Sequence, residues 1–287
     1  MIHIPVLLKE VIELLNPKEG EVMIDGTFGS GGHAQAILEK LGPEGKFLGI
    51  DLDKKNIERF ALSDSRFAGI VGNYVKLPEI MAKNNFPKAD GLLLDLGFSS
   101  EQLEERGRGF SFQKAEPLIM TYSDDIESLH QFLRRTNIQD LTEIISKFGE
   151  ERYAPRIAKA ILENRKRIAN TKELAEVIRS AVPKNYERGR IHPATRTFQA
   201  LRIYLNQELE NLSRVLDLLD KILKPGGRVT IISFHSLEDR IVKQKFKFLE
   251  KQGRIKILTK KPIRPSAAEV RIHPRSRSAK LRSAIML

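Results

Sequence analysis

Apolar residues recur along this chain in two alternating patterns, short solid runs and stripes at three- and four-residue steps. The alternation predicts an α/β fold. Val22, Met23 and Ile24 form a solid run suited to a strand buried on both faces of a parallel sheet, and the run ends in Asp25. Ala34, Ile37, Leu38 and Leu41 then fall at helical spacing. Further strands are expected at residues 46–50, 67–71, 90–95, 228–234 and 254–258, with a closing strand at 281–287. An amphipathic helix over residues 3–15, entered through Pro5, precedes the first strand.

Between residues 102 and 192 the solid runs stop. Leu141, Ile144, Ile145 and Phe148 share one helical face, as do Ala154, Ile157, Ile161 and Leu162. Leu174, Val177, Ile178 and Ala181 follow after a Thr171 cap. The expected organisation is a sheet domain in two parts, 1–102 and 193–287, with a helical insertion domain at 103–192. Phe198, Leu201, Leu205, Leu209, Leu212, Leu216, Leu219 and Leu223 predict one long helix from about Thr195 to Leu223, stopped by Pro225-Gly-Gly227.

The turn after the first strand carries Gly26, Gly29, Gly31 and Gly32 within seven positions. Glycines allow tight turns and close approach of a ligand to the backbone. Strand, glycine-rich turn and helix together predict a nucleotide-type cofactor loop; the competing reading is a plain βα turn with incidental glycines. Gly29-x-Gly31-x-x-Ala34 also fits the dinucleotide fingerprint, so a nicotinamide dehydrogenase stays open on this stretch alone. Asp51 lies 20 residues beyond Gly31, where the acid that grips ribose hydroxyls belongs. Asp53 can serve as the cap of the following helix. Tyr74 follows the third strand, where its ring can cover a base or simply pack. Asp95 is a third acid at a strand's carboxyl end, the edge at which open α/β sheets bind ligands.

Composition narrows the classes. Among 287 residues, 41% are hydrophobic, enough for a sizeable core, and no apolar run approaches the ~18 residues of a membrane span. Residues 1–5 do not read as a signal peptide. The absence of cysteine excludes disulfides, thiolate metal sites and a cysteine nucleophile, and suits the cytoplasm. Net charge is +12, from 49 basic against 37 acidic residues, which points to a nucleic-acid partner. Ten Lys and Arg lie between Gly253 and Arg282 against one acid, Glu269, a density that can neutralise phosphates. Arg165-Lys-Arg167 and Arg188-Gly-Arg190 in the insertion face either a polyanion or solvent.

Several long stretches carry a family resemblance. They are His3-Ile-Pro-Val-Leu-Leu8, Asp25-Gly-Thr-Phe-Gly-x-Gly-Gly-His33, Asp95-Leu-Gly-x-Ser-Ser-x-Gln102, Arg108-Gly-Phe-Ser-Phe112 and Phe148-Gly-Glu-Glu-Arg152. They continue with the runs at 192–203 and 232–243, which include Phe-Gln-Ala-Leu-Arg-Ile and His-Ser-Leu-Glu-Asp-Arg, and with Pro274-Arg-Ser-Arg-Ser-Ala279. Over essentially its whole length the chain resembles the bacterial 16S rRNA cytosine-N4 methyltransferases, the RsmH/MraW family. The resemblance implies a Rossmann-like class I methyltransferase sheet with an inserted helical domain. It implies S-adenosyl-L-methionine as methyl donor and transfer to the exocyclic N4 of a cytidine in the decoding region of small-subunit rRNA within the 30S particle. Cofactor contacts carry over onto Gly31, Gly32, His33, Asp51, Tyr74, Asp95 and Gln102. Ile119 and Thr121 depart from the family, which usually has Asp and Arg there, and His273 stands where Asn is usual.

Methyl transfer to an aromatic amine needs alignment and an acceptor for the amine hydrogens. Asp95, or a backbone carbonyl in residues 96–99, is the candidate for that catalytic role. His235 with Ser233, Ser236, Glu238 and Asp239 suggests a triad or metal site, but residues this close in sequence rarely converge on one point. Glu238 and Asp239 are expected to cap the next helix, and Ser233 and His235 to line the site. A catalytically silent ribosome-assembly factor is the competing reading of the whole chain.

Overall fold

The computed structural model describes residues 5–61, 64–97, 107–123, 125–186 and 191–287. The chain forms two compact units, residues 1–97 with 209–287, and residues 98–208.

The first unit is built on seven strands: β1 (Val22–Asp25), β2 (Lys46–Asp51), β3 (Phe67–Val71), β4 (Ala89–Asp95), β5 (Leu223–Ser233), β6 (Ile255–Ile257) and β7 (Lys280–Met286). Their order is β3-β2-β1-β4-β5-β7-β6. The first five are parallel, and β7 runs antiparallel to both neighbours. Strand order reverses between β1 and β4, which opens the crevice where such sheets take ligands. This is the Rossmann-like sheet that the family resemblance implies.

Alternate residues of each strand enter opposite cores. Ile24, Leu92, Leu94 and Ile231 join Leu77, Met81, Leu212, Leu216, Val242 and Phe246 on one face. Met23, Leu93 and Ile232 join Val11, Leu15, Ile37 and Ile57 on the other. The result is three layers, helix on sheet on helix.

The amino-terminal helix is shorter than expected, Leu8–Leu15. Leu7 precedes it in a left-handed conformation, φ 55°, with its N–H donating to Glu269 Oε1 at 2.7 Å.

The second unit buries the expected faces. Leu141, Ile144 and Ile145 of the helix Ile138–Gly149 meet Ile157 and Ile161 of Ala154–Asn164, and Leu174 and Ile178 of Thr171–Ala181. Asn170 caps the last of these helices. Thr171 is buried instead, its Oγ1 donating to the Lys114 carbonyl (2.7 Å) and accepting from Glu116 N–H (3.1 Å). The unusual Ile119 and Thr121 sit in a segment held by backbone bonds: Leu129 and His130 N–H donate to the Ile119 and Leu118 carbonyls. Thr121 is buried, and its Oγ1 has no hydrogen-bond partner among the described residues.

The long helix expected over 195–223 does not form. It is three helices, Ala194–Leu205, Glu208–Asp217 and Leu219–Ile222. Gln207 takes φ 51°, which no continuous helix allows. The Asn206 side chain fills the break, donating to the Met120 and Arg202 carbonyls and accepting from Tyr122 N–H. The leucine ladder continues across the break because it serves two cores. Leu201 and Leu205 belong to the helical unit, and Leu212, Leu216, Leu219 and Leu223 to the sheet unit. The helical unit accordingly runs through Glu208, past the expected boundary at 192. Pro225-Gly-Gly227 lies within β5 and forms an irregularity there, the pairing jumping from Ala89↔Leu223 to Gly91↔Arg228. Among the described residues, no helix is long and apolar enough to cross a membrane.

Candidate functional site

Three acids converge at the carboxyl edge of the parallel strands. Asp25 pairs in register with Gly49 of β2 and Leu93 of β4, so Asp51 and Asp95 each stand two residues farther out, one on either side. Thr27 ties the centre of this edge together. The Thr27 N–H donates to Asp25 Oδ1 (2.9 Å), its hydroxyl lies 3.3 Å from the same oxygen, and Oγ1 accepts from Asp95 N–H at 2.6 Å. An acid followed two residues later by a bonded backbone N–H is an Asx-turn, and Asp-Gly-Thr was the legible signal for a residue that motif reading passed over.

Asp51 holds the glycine turn to β2. Its Oδ2 accepts from Gly29 N–H and its Oδ1 from Asp53 N–H, both at 2.7 Å. Burial raises its pKa, opposed by these two backbone bonds. Each oxygen keeps a lone pair for a ligand hydroxyl. Asp53 also bonds Lys55 N–H, at 3.0 Å, as the helix-entry reading expects.

Gly31 has φ 79°, and a Cβ there would lie 2.7 Å from Phe60 and 2.9 Å from Phe28. Only glycine fits both the backbone and the space. Gly26 is constrained by space alone, since a Cβ would come within 2.6 Å of Leu94 and 3.0 Å of Tyr74. Tyr74 opens a short 3-10 turn, Tyr74–Lys76, and stands beside the glycine turn at this edge. Gly32 and His33 begin the helix Gly32–Leu38.

The His33 ring is buried, with Nε2 3.6 Å from Asp95 Oδ2. Neither ring nitrogen of His33, nor Asp95 Oδ1, has a hydrogen-bond partner among the described residues. Asp25 is 1% exposed, and burial pushes its pKa up to about 7, against the charge of His33 and the Thr27 bonds. An acid with this shift binds more protons folded than unfolded between pH 3.8 and about 7, so its contribution to stability falls as pH rises through that window. In urea denaturation, Asp25→Asn should therefore gain stability relative to the parent between pH 4 and pH 8. A difference that stays constant across that range would contradict this.

At the end of β5, His235 is not part of a triad. It caps the helix Ser236–Lys251, with Glu238 closing the capping box through Phe234 N–H (2.8 Å) and His235 N–H (3.3 Å). Asp239, expected to cap the same helix, turns to β7 instead. Its Oδ1 accepts from Arg282 Nε at 2.7 Å and its Oδ2 from Lys280 Nζ at 3.1 Å. The helix already has its acceptors from His235 and Glu238, and the two cations of β7 offer stronger partners. Ser233 is buried. Gln102 lies outside the described residues.

An edge of one buried and two half-buried carboxylates suits a cationic ligand with hydroxyl and amine donors. It is unfavourable for a pyrophosphate, whose charge would meet acids on adjacent strands. The model of the MraW methylase family matches residues 1–286. The chain belongs to the MraW methylase family. Proteins named ribosomal RNA small subunit methyltransferase H match along its length. One from Syntrophus aciditrophicus is 44% identical, covering 98% of this chain and 96% of that protein. Others, from Coprothermobacter proteolyticus and Thermotoga neapolitana, are each 46% identical over 98% of this chain and cover 94% and 95% of those proteins. As a MraW methylase, this protein is an S-adenosylmethionine-dependent methyltransferase, and the nicotinamide reading of the glycine spacing is set aside.

Proposed function

We propose that this MraW methylase transfers the methyl group of S-adenosylmethionine to the exocyclic N4 of a cytidine in the decoding region of small-subunit rRNA. It does so in the cytoplasm, on the 30S particle. The observation that carries the reading is the match of the whole chain to relatives named for small-subunit rRNA methylation. The acidic strand edge supports it chemically.

When bound, S-adenosylmethionine supplies an electrophilic methyl on a cationic sulfur. Gly31, Gly32 and the His33 backbone cradle its methionine end, Asp51 receives the ribose hydroxyls, and the Tyr74 ring covers the adenine. Gln102 joins this set through the family resemblance. Asp95 acts on the acceptor: its half-buried carboxylate takes a hydrogen bond from the N4 amine. That bond favours the pyramidal nitrogen of the transition state and gives the departing proton a destination. Its Oδ2 lies 3.6 Å from His33 Nε2. The cytidine has to leave its base stack to reach this edge.

Incubation of 30S particles with methyl-labelled donor tests the reading. Label in the RNA is expected; unlabelled RNA beside a protein that binds S-adenosylhomocysteine would overturn it.

A further inference from the structure

The carboxyl-terminal basic stretch divides sharply once its side chains are placed. Arg254 pairs with Asp220, and Lys280 and Arg282 pair with Asp239, so these three cations serve the fold. Lys256, Lys260, Lys261, Arg264, Arg271, Arg275 and Arg277 are exposed. The intervening acid, Glu269, is occupied by the N–H of Leu7.

Sheet register shows where the exposed set stands. Asp95 pairs with Ile232, Ile232 with Leu281, and Leu281 with Ile263, one lateral row across the sheet. At the usual strand spacing, Ile263 is about 14 Å from Asp95 along that row. Because β7 is antiparallel to β5, its first residue, Lys280, lies beside Ser233 at the same carboxyl edge. The chain leaves β6 toward that edge and enters β7 from it. Residues 260–277 therefore lie along the edge that carries Asp25, Asp51 and Asp95, beyond β5. Lys256 belongs to β6 itself and is not part of this edge.

The display is also held in place. Arg275 and Arg277 sit in the 3-10 turn Pro274–Ser278 on either side of the fully buried Ser276, whose hydroxyl donates to the His273 carbonyl at 2.7 Å. Two arginines thus point outward from an anchored turn, ready to bond phosphate oxygens without a large ordering cost.

We propose that residues 260–277 form the phosphate-binding surface for the RNA strand flanking the acceptor cytidine, with Arg275 and Arg277 as its fixed contacts. This deepens the rRNA reading above and rests on it. A polyanionic backbone matches six exposed cations (260, 261, 264, 271, 275 and 277) on one edge.

The test compares two full-length double variants with equal loss of charge. Arg275→Gln with Arg277→Gln removes cations from the catalytic edge. Lys247→Gln with Lys251→Gln removes exposed cations near the far end of the helix Ser236–Lys251, which starts at the catalytic edge and runs back along the sheet. Binding to a small-subunit rRNA fragment is measured between 50 and 300 mM salt, about the range over which phosphate contacts separate. The arginine variant should bind roughly tenfold more weakly at 0.1 M salt, and its log–log salt slope should fall by about 1.4, two single-strand phosphate contacts. The lysine variant should keep the parent slope, and both should bind S-adenosylhomocysteine as the parent does. An unchanged slope in the arginine variant, or an equal fall in both, would overturn the surface while leaving methylation by the parent intact. A parent that neither binds nor methylates the RNA would instead refute the rRNA reading. A steeper slope for polyglutamate than for RNA would reassign the surface to an acidic protein and overturn it.

Discussion

Asp95→Asn should lower kcat for methyl transfer by about 100-fold or more at saturating donor, the lower end of what a positioned acid–base group contributes. The substitution keeps the side chain's shape, so the Asp95 N–H bond to Thr27 Oγ1 and the strand end survive. What changes is the charge and the acceptor strength of the carboxylate beside His33. Asparagine presents either a weaker acceptor or an amide donor in that place, and an amide donor repels the amine hydrogens. Calorimetry with S-adenosylhomocysteine separates the two roles open to Asp95. Intact binding with lost turnover assigns it to the acceptor, and weakened binding with full turnover at saturation assigns it to the cofactor. Full turnover ends the catalytic role.

The second large effect is on stability. Asp239→Ala should destabilise the protein by about 3–5 kcal/mol, the usual cost of stranding a buried charge. The Arg282 side chain is 8% exposed and that of Asp239 13%, and the pair joins β7 to the helix Ser236–Lys251 across the sheet edge. Burial raises the Asp239 pKa, but the bonds from Arg282 and Lys280 outweigh it and leave the carboxyl below its usual range. The stabilisation is therefore present above the unfolded-state pKa and is lost as pH falls through the folded-state value. Urea unfolding at pH 7 reads the effect. Replacing Asp239 and Arg282 together by apolar residues should recover much of the loss, since the cost lies in the orphaned guanidinium. A loss below 1 kcal/mol for Asp239→Ala would show that the pair is solvated.

Much of this architecture was legible in the residues, and the exceptions share a physical cause. Strands such as Val22–Asp25 and Ala89–Asp95 announce themselves because burial on both faces demands solid apolar runs. The helical faces at 141–148, 154–162 and 174–181 are equally plain, because one side of each must enter a core. The break at Asn206–Gln207 was hidden. Periodicity records that a leucine is buried, not which core receives it, and here one ladder feeds two. Polar side chains were misread where a distant element supplies the partner. Asp239 reads locally as a cap, and only the fold brings Lys280 and Arg282 to it. Thr27 and the His33–Asp95 approach likewise depend on β1 and β4 lying side by side although 68 residues separate Thr27 from Asp95. The glycine turn was legible at β1, and the fold brings to it acids from two other strands.

The His-Ser-Leu-Glu-Asp-Arg stretch has its local bonds accounted for by the fold. His235 and Glu238 cap a helix and Asp239 anchors β7. The stretch joins β5, the helix after it and the antiparallel strand β7.

The most direct measurement of the central claim is mass spectrometry of rRNA nucleosides from 30S particles incubated with this protein and methyl-labelled S-adenosylmethionine. The account predicts label in N4-methylcytidine at a single decoding-region position, formed about 100-fold more slowly by the Asp95→Asn protein. Label in 5-methylcytidine or in a methylated purine, or N4-methylcytidine formed equally well by the Asp95→Asn protein, would contradict it.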